Sequence, residues 1–327
     1  MKAPPWLMPQ RPKRLLILFG LLLAIVAGEQ VYRWRRPTHT HDTAHYCILS
    51  SASPTQTQEV GVNMEALYAA YAEVFRDFHN VQQPHPKLKL KLYRDRREFR
   101  RCNRGVGWAE AFYRSPYCSA YFSADEINPY HWMLHEGVHQ LNQEVARLHL
   151  AKWADEGLSE YFSTSILRDG RLLVGTVDRN TYPVWWLEDL ELSGNLDRGL
   201  EAGRVIPLRV ILTGRGGPPM NRDFNLYYLH WWSLMHLLFE GQGGKYRKGA
   251  LEMLREGGTL VSFEKHLGSV EQVQIEWYQH LQELRWTIFR QAAHQLGGAR
   301  DIQVHPGPHP AGQFSSRPSS GRVRTGA

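Results

Sequence analysis

His135-Glu136-Gly137-Val138-His139 sets two imidazoles four residues apart with a carboxylate next to the first. On a helix, residues i and i+4 share a face, so both rings can reach one ion. The adjacent glutamate then stands beside the ion's remaining coordination position, where a carboxylate can take a proton from an activated water. The surrounding residues predict that helix. Asn128-Pro129 upstream is a start signal, a side chain able to cap followed by a proline whose fixed φ suits the first helical position. Leu134, Val138, Leu141, Val145 and Leu148 then recur at steps of four and three, which is one buried stripe. His135 and His139 each follow a stripe residue by one position, at the edge of the buried face where a ligand lining a cleft belongs.

A catalytic zinc takes three protein ligands and keeps a fourth position open, so a further ligand is expected from a second helix close by. Trp153-Ala154-Asp155-Glu156-Gly157-Leu158-Ser159-Glu160-Tyr161 supplies it. Sixteen residues lie between His139 and Glu156, enough for the first helix to finish and a turn to reverse the chain. Glu156 and Glu160 are again four apart. With Glu156 on the metal, Glu160 is placed to accept the free ring N–H of a ligand histidine and fix its tautomer.

These two blocks resemble the gluzincin metallopeptidases, which carry HExxH on one helix and a glutamate ligand in a W-x-x-E-G-hydrophobic segment on the next. The peptidase MA-like branch, including the domain family DUF1570, is the most similar. The resemblance runs from about residue 87 to 284 and also takes in Ile206-Pro207-Leu208 and the stretch from Tyr228 to Leu238. It implies a zincin-like α+β fold, Zn²⁺ held by His135, His139 and Glu156, Glu136 as general base, and Tyr228 as the tyrosine that stabilises the oxyanion. Leu229 and His230 stand where the family has a small and an amide residue. Gly107-Trp108-Ala109-Glu110 is faintly similar to an amine-binding run of the wider group but lacks its Met and Asn, and Glu110 reads as an ordinary surface residue.

The chain's charge lies at its ends. Residues 1–36 hold seven Lys or Arg against Glu29, and residues 300–327 hold four Arg against Asp301; with +7 overall, residues 37–299 sum to −2. The folded part is not basic and gives no case for nucleic-acid binding. Arg11, Lys13 and Arg14 precede an apolar run from Leu15 to Gly28, the layout of an export signal, with Arg33, Arg35 and Arg36 just beyond. That run is shorter than the roughly 20 residues that span a bilayer comfortably. An uncleaved N-terminal anchor over residues 1–36 is expected, with the enzyme on the exported side of the membrane; a cleaved signal and secretion is the alternative. Of three cysteines, Cys102 and Cys118 are the expected disulfide pair, compatible with an exported location.

Residues 37–60, rich in Thr, Ser and His, read as a linker; His39, His41 and His45 belong to this tether. The catalytic domain is expected over 61–296. Its predicted elements are a helix from Asn63 to Phe78, a strand from Lys87 to Tyr93 with alternating Lys and Leu, a short helix from Asp95 to Cys102, and a strand from Ser119 to Ser123 beside the active helix. Arg171 to Val177 reads as a strand or hairpin arm and Tyr182 to Leu192 as a short aromatic helix. The segments 224–240, 245–256, 260–267 and 270–291 give a mainly helical C-terminal half. Gly214 to Pro219 reads as a connector or a flap, and residues 297–327 as a disordered tail. The expected function is zinc-dependent cleavage of a peptide or protein substrate. Two alternatives are an exported metal-binding or interaction module with a peptidase-like fold, and a zinc hydrolase of non-peptide amides or esters. Oligomeric state is not set by the sequence.

Overall fold

Leu88, Leu90 and Leu92 alternate with Lys89 and Lys91, so an extended chain here buries one face and leaves the other to solvent. In a computed structural model of the protein, which describes residues 11–35, 39–103, 105–107, 109–123 and 127–296, this alternation is the middle of a sheet. The elements in chain order are α1 (Arg11–Arg35), β1 (His39–Asp42), β2 (Tyr46–Ser50), α2 (Pro54–Val74), β3 (Leu88–Tyr93), α3 (Arg96–Cys102), β4 (Ala111–Arg114), β5 (Tyr117–Tyr121), α4 (His131–Gln140), α5 (Lys152–Ser163), β6 (Ile166–Arg168), β7 (Arg171–Leu173), α6 (Leu196–Glu201), α7 (Leu208–Thr213), α8 (Met220–Gly244), α9 (Arg247–Arg255), α10 (Leu260–Leu267) and α11 (Val270–Leu296). The fold is α+β. Five strands form a mixed sheet in the order β1-β2-β3-β5-β4, parallel between β2, β3 and β5 and antiparallel at both edges.

The segment expected as a linker is part of this sheet. Tyr46 and Ile48 of β2 are fully buried, and α2 starts at Pro54 behind a capping box in which Ser53 accepts from the Gln56 N–H and Gln56 bonds back to the Ser53 N–H. The helix is therefore nine residues longer at its start than the apolar spacing from Asn63 indicates. One face of the sheet, formed by Tyr46, Ile48, Leu88, Leu90, Leu92, Cys118 and Ala120, joins α2 and α4 in a continuous apolar core. On the other face Phe99 of α3 lies against Tyr93, Tyr121 and Phe112, with ring centroids 5.5–5.9 Å away.

That division explains why the expected Cys102–Cys118 bridge is not formed. Cys118 pairs in register with Leu90 and points into the helix-side core, whereas Cys102 ends the helix packed on the opposite face. The sheet stands between them. Glu110 also departs from expectation. It is mostly buried, and it accepts from Arg96, Arg100 and the Tyr121 hydroxyl, anchoring α3 to the sheet.

α4 begins two residues later than Asn128-Pro129 predicts. Asn128 Oδ1 accepts the Tyr130 N–H at 3.1 Å, and its Nδ2 donates to Asp178 at 3.0 Å, so the residue fixes the turn ahead of the helix. Its far end also differs. The regular helix stops at Gln140, residues Leu141–Val145 widen into a π-type turn, and Arg147 at φ 55° ends the run before Leu148. A hairpin, β6–β7, follows α5 as expected, but Tyr182–Leu192 contains only a single helical turn, Val184–Leu187. In α8 the regular stretch is 224–240, bounded by non-helical Asp223 and Gly241. In Gly214–Pro219 the Pro218 carbonyl accepts from the Tyr227 hydroxyl at 3.0 Å.

Along α1, Leu16, Ile17, Leu18, Phe19, Leu21, Leu22, Leu23, Ile25 and Val26 are each at least half exposed. Among the described residues no helix is long and apolar enough to cross a membrane. The expected tail, 297–327, lies outside the described residues, as do Trp108 and residues 1–10 of the N-terminal segment.

α5 and α8 meet where the sequence has glycine after Glu156. A methyl group added at Gly157 would come 2.7 Å from the Trp231 carbonyl oxygen and 3.2 Å from its carbon, both backbone atoms that cannot swing aside. Gly157→Ala is expected to lower stability by about 1–3 kcal/mol through overpacking. Urea denaturation measures it, and an unchanged midpoint and slope would mean that the two helices part without cost.

Candidate metal centre

α4 and α5 pack against each other so that His135 and His139 of the first face Glu156 of the second. His135 Nε2 and His139 Nε2 are 3.1 Å apart, and Glu156 Oε2 lies 3.4 Å from the first and 3.7 Å from the second. Ligands in a tetrahedron with bonds of 2.0–2.2 Å stand about 3.3–3.6 Å from one another. The triangle matches one face of such a tetrahedron. Within the motif, Gly137 and Val138 point the other way, toward Met64 and Leu67 of α2 and the core, which turns the histidines outward to the cleft.

The remaining ring nitrogens are assigned by their neighbours. His139 Nδ1 lies 3.0 Å from Asp155 Oδ2, and a carboxylate only accepts, so Nδ1 carries a proton and Nε2 is the nitrogen turned inward. His135 Nδ1 lies 3.2 Å from Glu160 Oε1; both atoms are fully buried and neither finds a better-aligned partner. Glu160 is thus beside one of the two expected ligand histidines, and the structure makes it His135. In the neutral rings two Nε2 lone pairs would then face each other at 3.1 Å, a repulsion that a cation between them removes.

The electrostatics agree. Burial opposes charge on His135, but Glu160, Glu156 and Glu136 outweigh it and hold its pKa well above the ordinary imidazole value. Burial is likewise outweighed at His139, by Asp155 and Glu156, and its pKa is pushed up to about 10. Glu156 is buried, yet the two imidazoles beside it keep its carboxyl far below the usual range. Burial raises Glu160, with His135 opposing. The carboxylates around the two rings therefore call for positive charge at their centre. The group His135, His139 and Glu156 can hold a metal ion, and among the described residues it is the grouping with ligand atoms close enough to do so.

No protein-family model matches the chain, and no curated protein matches it. The site's chemistry therefore rests on its own residues.

A cleft of about 540 Å³ opens over the three ligands, lined also by Tyr113, Glu136, Asn142 and Tyr228. Glu136 is outside the ligand group. Its Oε2 accepts the backbone N–H of Tyr113 at 2.7 Å, so the edge strand β4 fixes the carboxylate at the side of the cleft. The sequence had placed Ser119–Ser123 beside the active helix; β5 is there, but β4 lies outside it and forms the sheet edge. Tyr228 reaches the cleft from α8, its ring centroid 6.4 Å from that of His135. Burial first, then Glu156 and Glu160, raise its hydroxyl pKa far above the ordinary value, so it stays a donor.

Two parts of the support were not read from the sequence. Asp155 holds His139, and is itself held by Asn142 Nδ2 at 2.8 Å, whose Oδ1 accepts from the buried Tyr71 hydroxyl at 2.7 Å. Asn142 lies in the widened turn after α4. The signal for Asp155 was its place one residue before Glu156, whereas nothing in the sequence marks Tyr113. Asp155→Asn is expected to weaken zinc binding 10–100-fold, because the amide no longer fixes the ring proton. Competition against a chromogenic chelator reads this; equal affinity would remove Asp155 from the account.

Proposed function

We propose that the protein is a zinc-dependent hydrolase of peptide bonds, built like the gluzincins, with a zincin-like catalytic domain. The observation that carries this reading is the convergence of His135, His139 and Glu156 on one point of a cleft that also holds a separately anchored carboxylate, Glu136. A purely structural zinc site fills its fourth position with a protein ligand, and here the fourth side is open to the cleft.

His135, His139 and Glu156 would hold the zinc, which would supply a lowered water pKa and a Lewis acid for the scissile carbonyl. The protein's own groups do the rest. Glu136, fixed by the Tyr113 N–H, accepts the proton of the attacking water and delivers it to the leaving amine. Tyr228 donates its hydroxyl to the oxygen that gains charge, a contribution of about 3 kcal/mol in comparable sites. Asp155 and Glu160 keep the histidine Nδ1 protons in place so that Nε2 remains a ligand. The N-terminal segment, apolar and flanked by basic residues, is proposed to hold this domain at the exported face of a membrane.

The test is cleavage of a mixed peptide pool by the zinc-loaded chain, followed by mass spectrometry. Cleavage that chelation stops and zinc restores is the expected result. Zinc retained at full stoichiometry with no peptide cut would overturn the peptidase reading.

A further inference from the structure

The near-neutral sum over residues 37–299 conceals a separation of charge. Residues 87–114 hold ten Lys or Arg against Asp95, Glu98 and Glu110, a formal +7, so the remainder of 37–299 stands at −9. In the fold this segment is β3, α3 and β4, and α3 together with the outward residues of the two strands lies on the face of the sheet turned away from α2 and α4. Register sets Lys89, Tyr117 and Arg114 in one row across β3, β5 and β4, with Lys91, Ser119 and Phe112 in the next. Lys91 Nζ lies 4.2 Å and Lys89 Nζ 5.7 Å from the centre of the Tyr117 ring, and the Arg114 guanidinium is 5.9 Å from that of Phe112.

Part of the positive charge is internally balanced. Glu110 takes Arg96 and Arg100, Asp95 takes Arg94, and Asp42 takes Lys87. Lys89, Lys91, Arg97 and Arg114 form no ion pair with a described residue, and all but the half-buried Lys91 are exposed. Lys89, Lys91 and Arg114 stand beside the Tyr117 and Phe112 rings on the sheet, and Arg97 is on α3.

We propose that this face docks on an anionic lipid surface. Lys89 and Arg114, with the half-buried Lys91, surround Tyr117, an amphipathic ring suited to a headgroup region. The remainder of 37–299, at a formal −9, is not drawn to such a surface, so the attraction falls on this segment. α1, with its exposed apolar side chains, ends at Arg35, and the first strand of this sheet starts at His39, at most about 14 Å of chain away. The proposal is independent of the hydrolase reading, since it concerns neither the cleft nor the metal.

The experiment measures binding of the full chain to phosphatidylcholine vesicles with and without 30% phosphatidylglycerol. Wild type is expected to bind the anionic vesicles at least tenfold more tightly. Combined Lys89→Glu, Lys91→Glu and Arg114→Glu removes three positive charges and adds three negative ones, so at about fivefold per charge removed it should cost more than roughly a hundredfold on those vesicles and leave binding to neutral vesicles unchanged. Raised salt should mimic the substitution in wild type. The same three positions changed to Gln give a second variant with less charge repulsion within the fold, expected to fall between the two. Circular dichroism and zinc content check that both variants are folded. If either folded variant keeps the wild-type preference, the terminal arginines are responsible and the proposal fails. It fails equally if wild type binds a 30-nucleotide single strand of DNA or poly-glutamate more tightly than the anionic vesicles.

Discussion

Glu136→Gln is expected to retain one zinc per chain while kcat/KM for peptide cleavage falls by about 10²–10⁴-fold, the usual worth of a positioned acid–base group. The substitution is isosteric, and the amide oxygen can still accept the Tyr113 N–H that holds the carboxylate at 2.7 Å. The cleft keeps its shape and its three ligands. Only the ability to take a proton is lost. Metal content and turnover measured on the same preparation separate the two effects. A variant that cleaves at the wild-type rate would rule out Glu136 as the base, and one that loses its zinc would show that Glu136 acts in holding the site together.

Glu156→Ala has its largest effect on metal binding. It removes the carboxylate of the ligand triangle and leaves two imidazole Nε2 atoms 3.1 Å apart with nothing to complete the site. The loss of zinc affinity should exceed the 10–100-fold that a supporting residue costs. Because zinc binds the folded chain, it also stabilises it: at a hundredfold excess over Kd the gain is about 2.7 kcal/mol. In a domain of this size that corresponds to a rise in Tm of roughly 5–10 °C. Wild type is expected to show this zinc-dependent rise and Glu156→Ala to show none. An equal rise in both would place the ion elsewhere on the protein.

What could be read in advance follows from the range over which each signal acts. The helical period set His135, His139, Glu156 and Glu160 on facing sides of two neighbouring helices, and the structure brings them together, because four-residue spacing needs no knowledge of the rest of the fold. Leu148 misled for the same reason: the apolar period continues through Leu141 and Val145, but the backbone widens there and swings Asn142 toward Asp155. The first two strands were hidden by their composition. Tyr46 and Ile48 alternate with Cys47 and Leu49, yet Thr, His and Ser around them make the stretch look solvated, and only pairing with β3 buries it. β4 is four residues long and leaves no period to read. Its contribution, a backbone N–H on Glu136, is made by an atom that every residue but proline carries. The cysteine pairing failed because proximity in sequence says nothing about which face of a sheet each thiol occupies.

The most direct measurement is anomalous diffraction at the zinc edge from crystals of the zinc-loaded protein. The account predicts one peak, about 2.0–2.2 Å from His135 Nε2, His139 Nε2 and Glu156 Oε2. A fully occupied peak at any other group of side chains, or none over these three atoms, would contradict it.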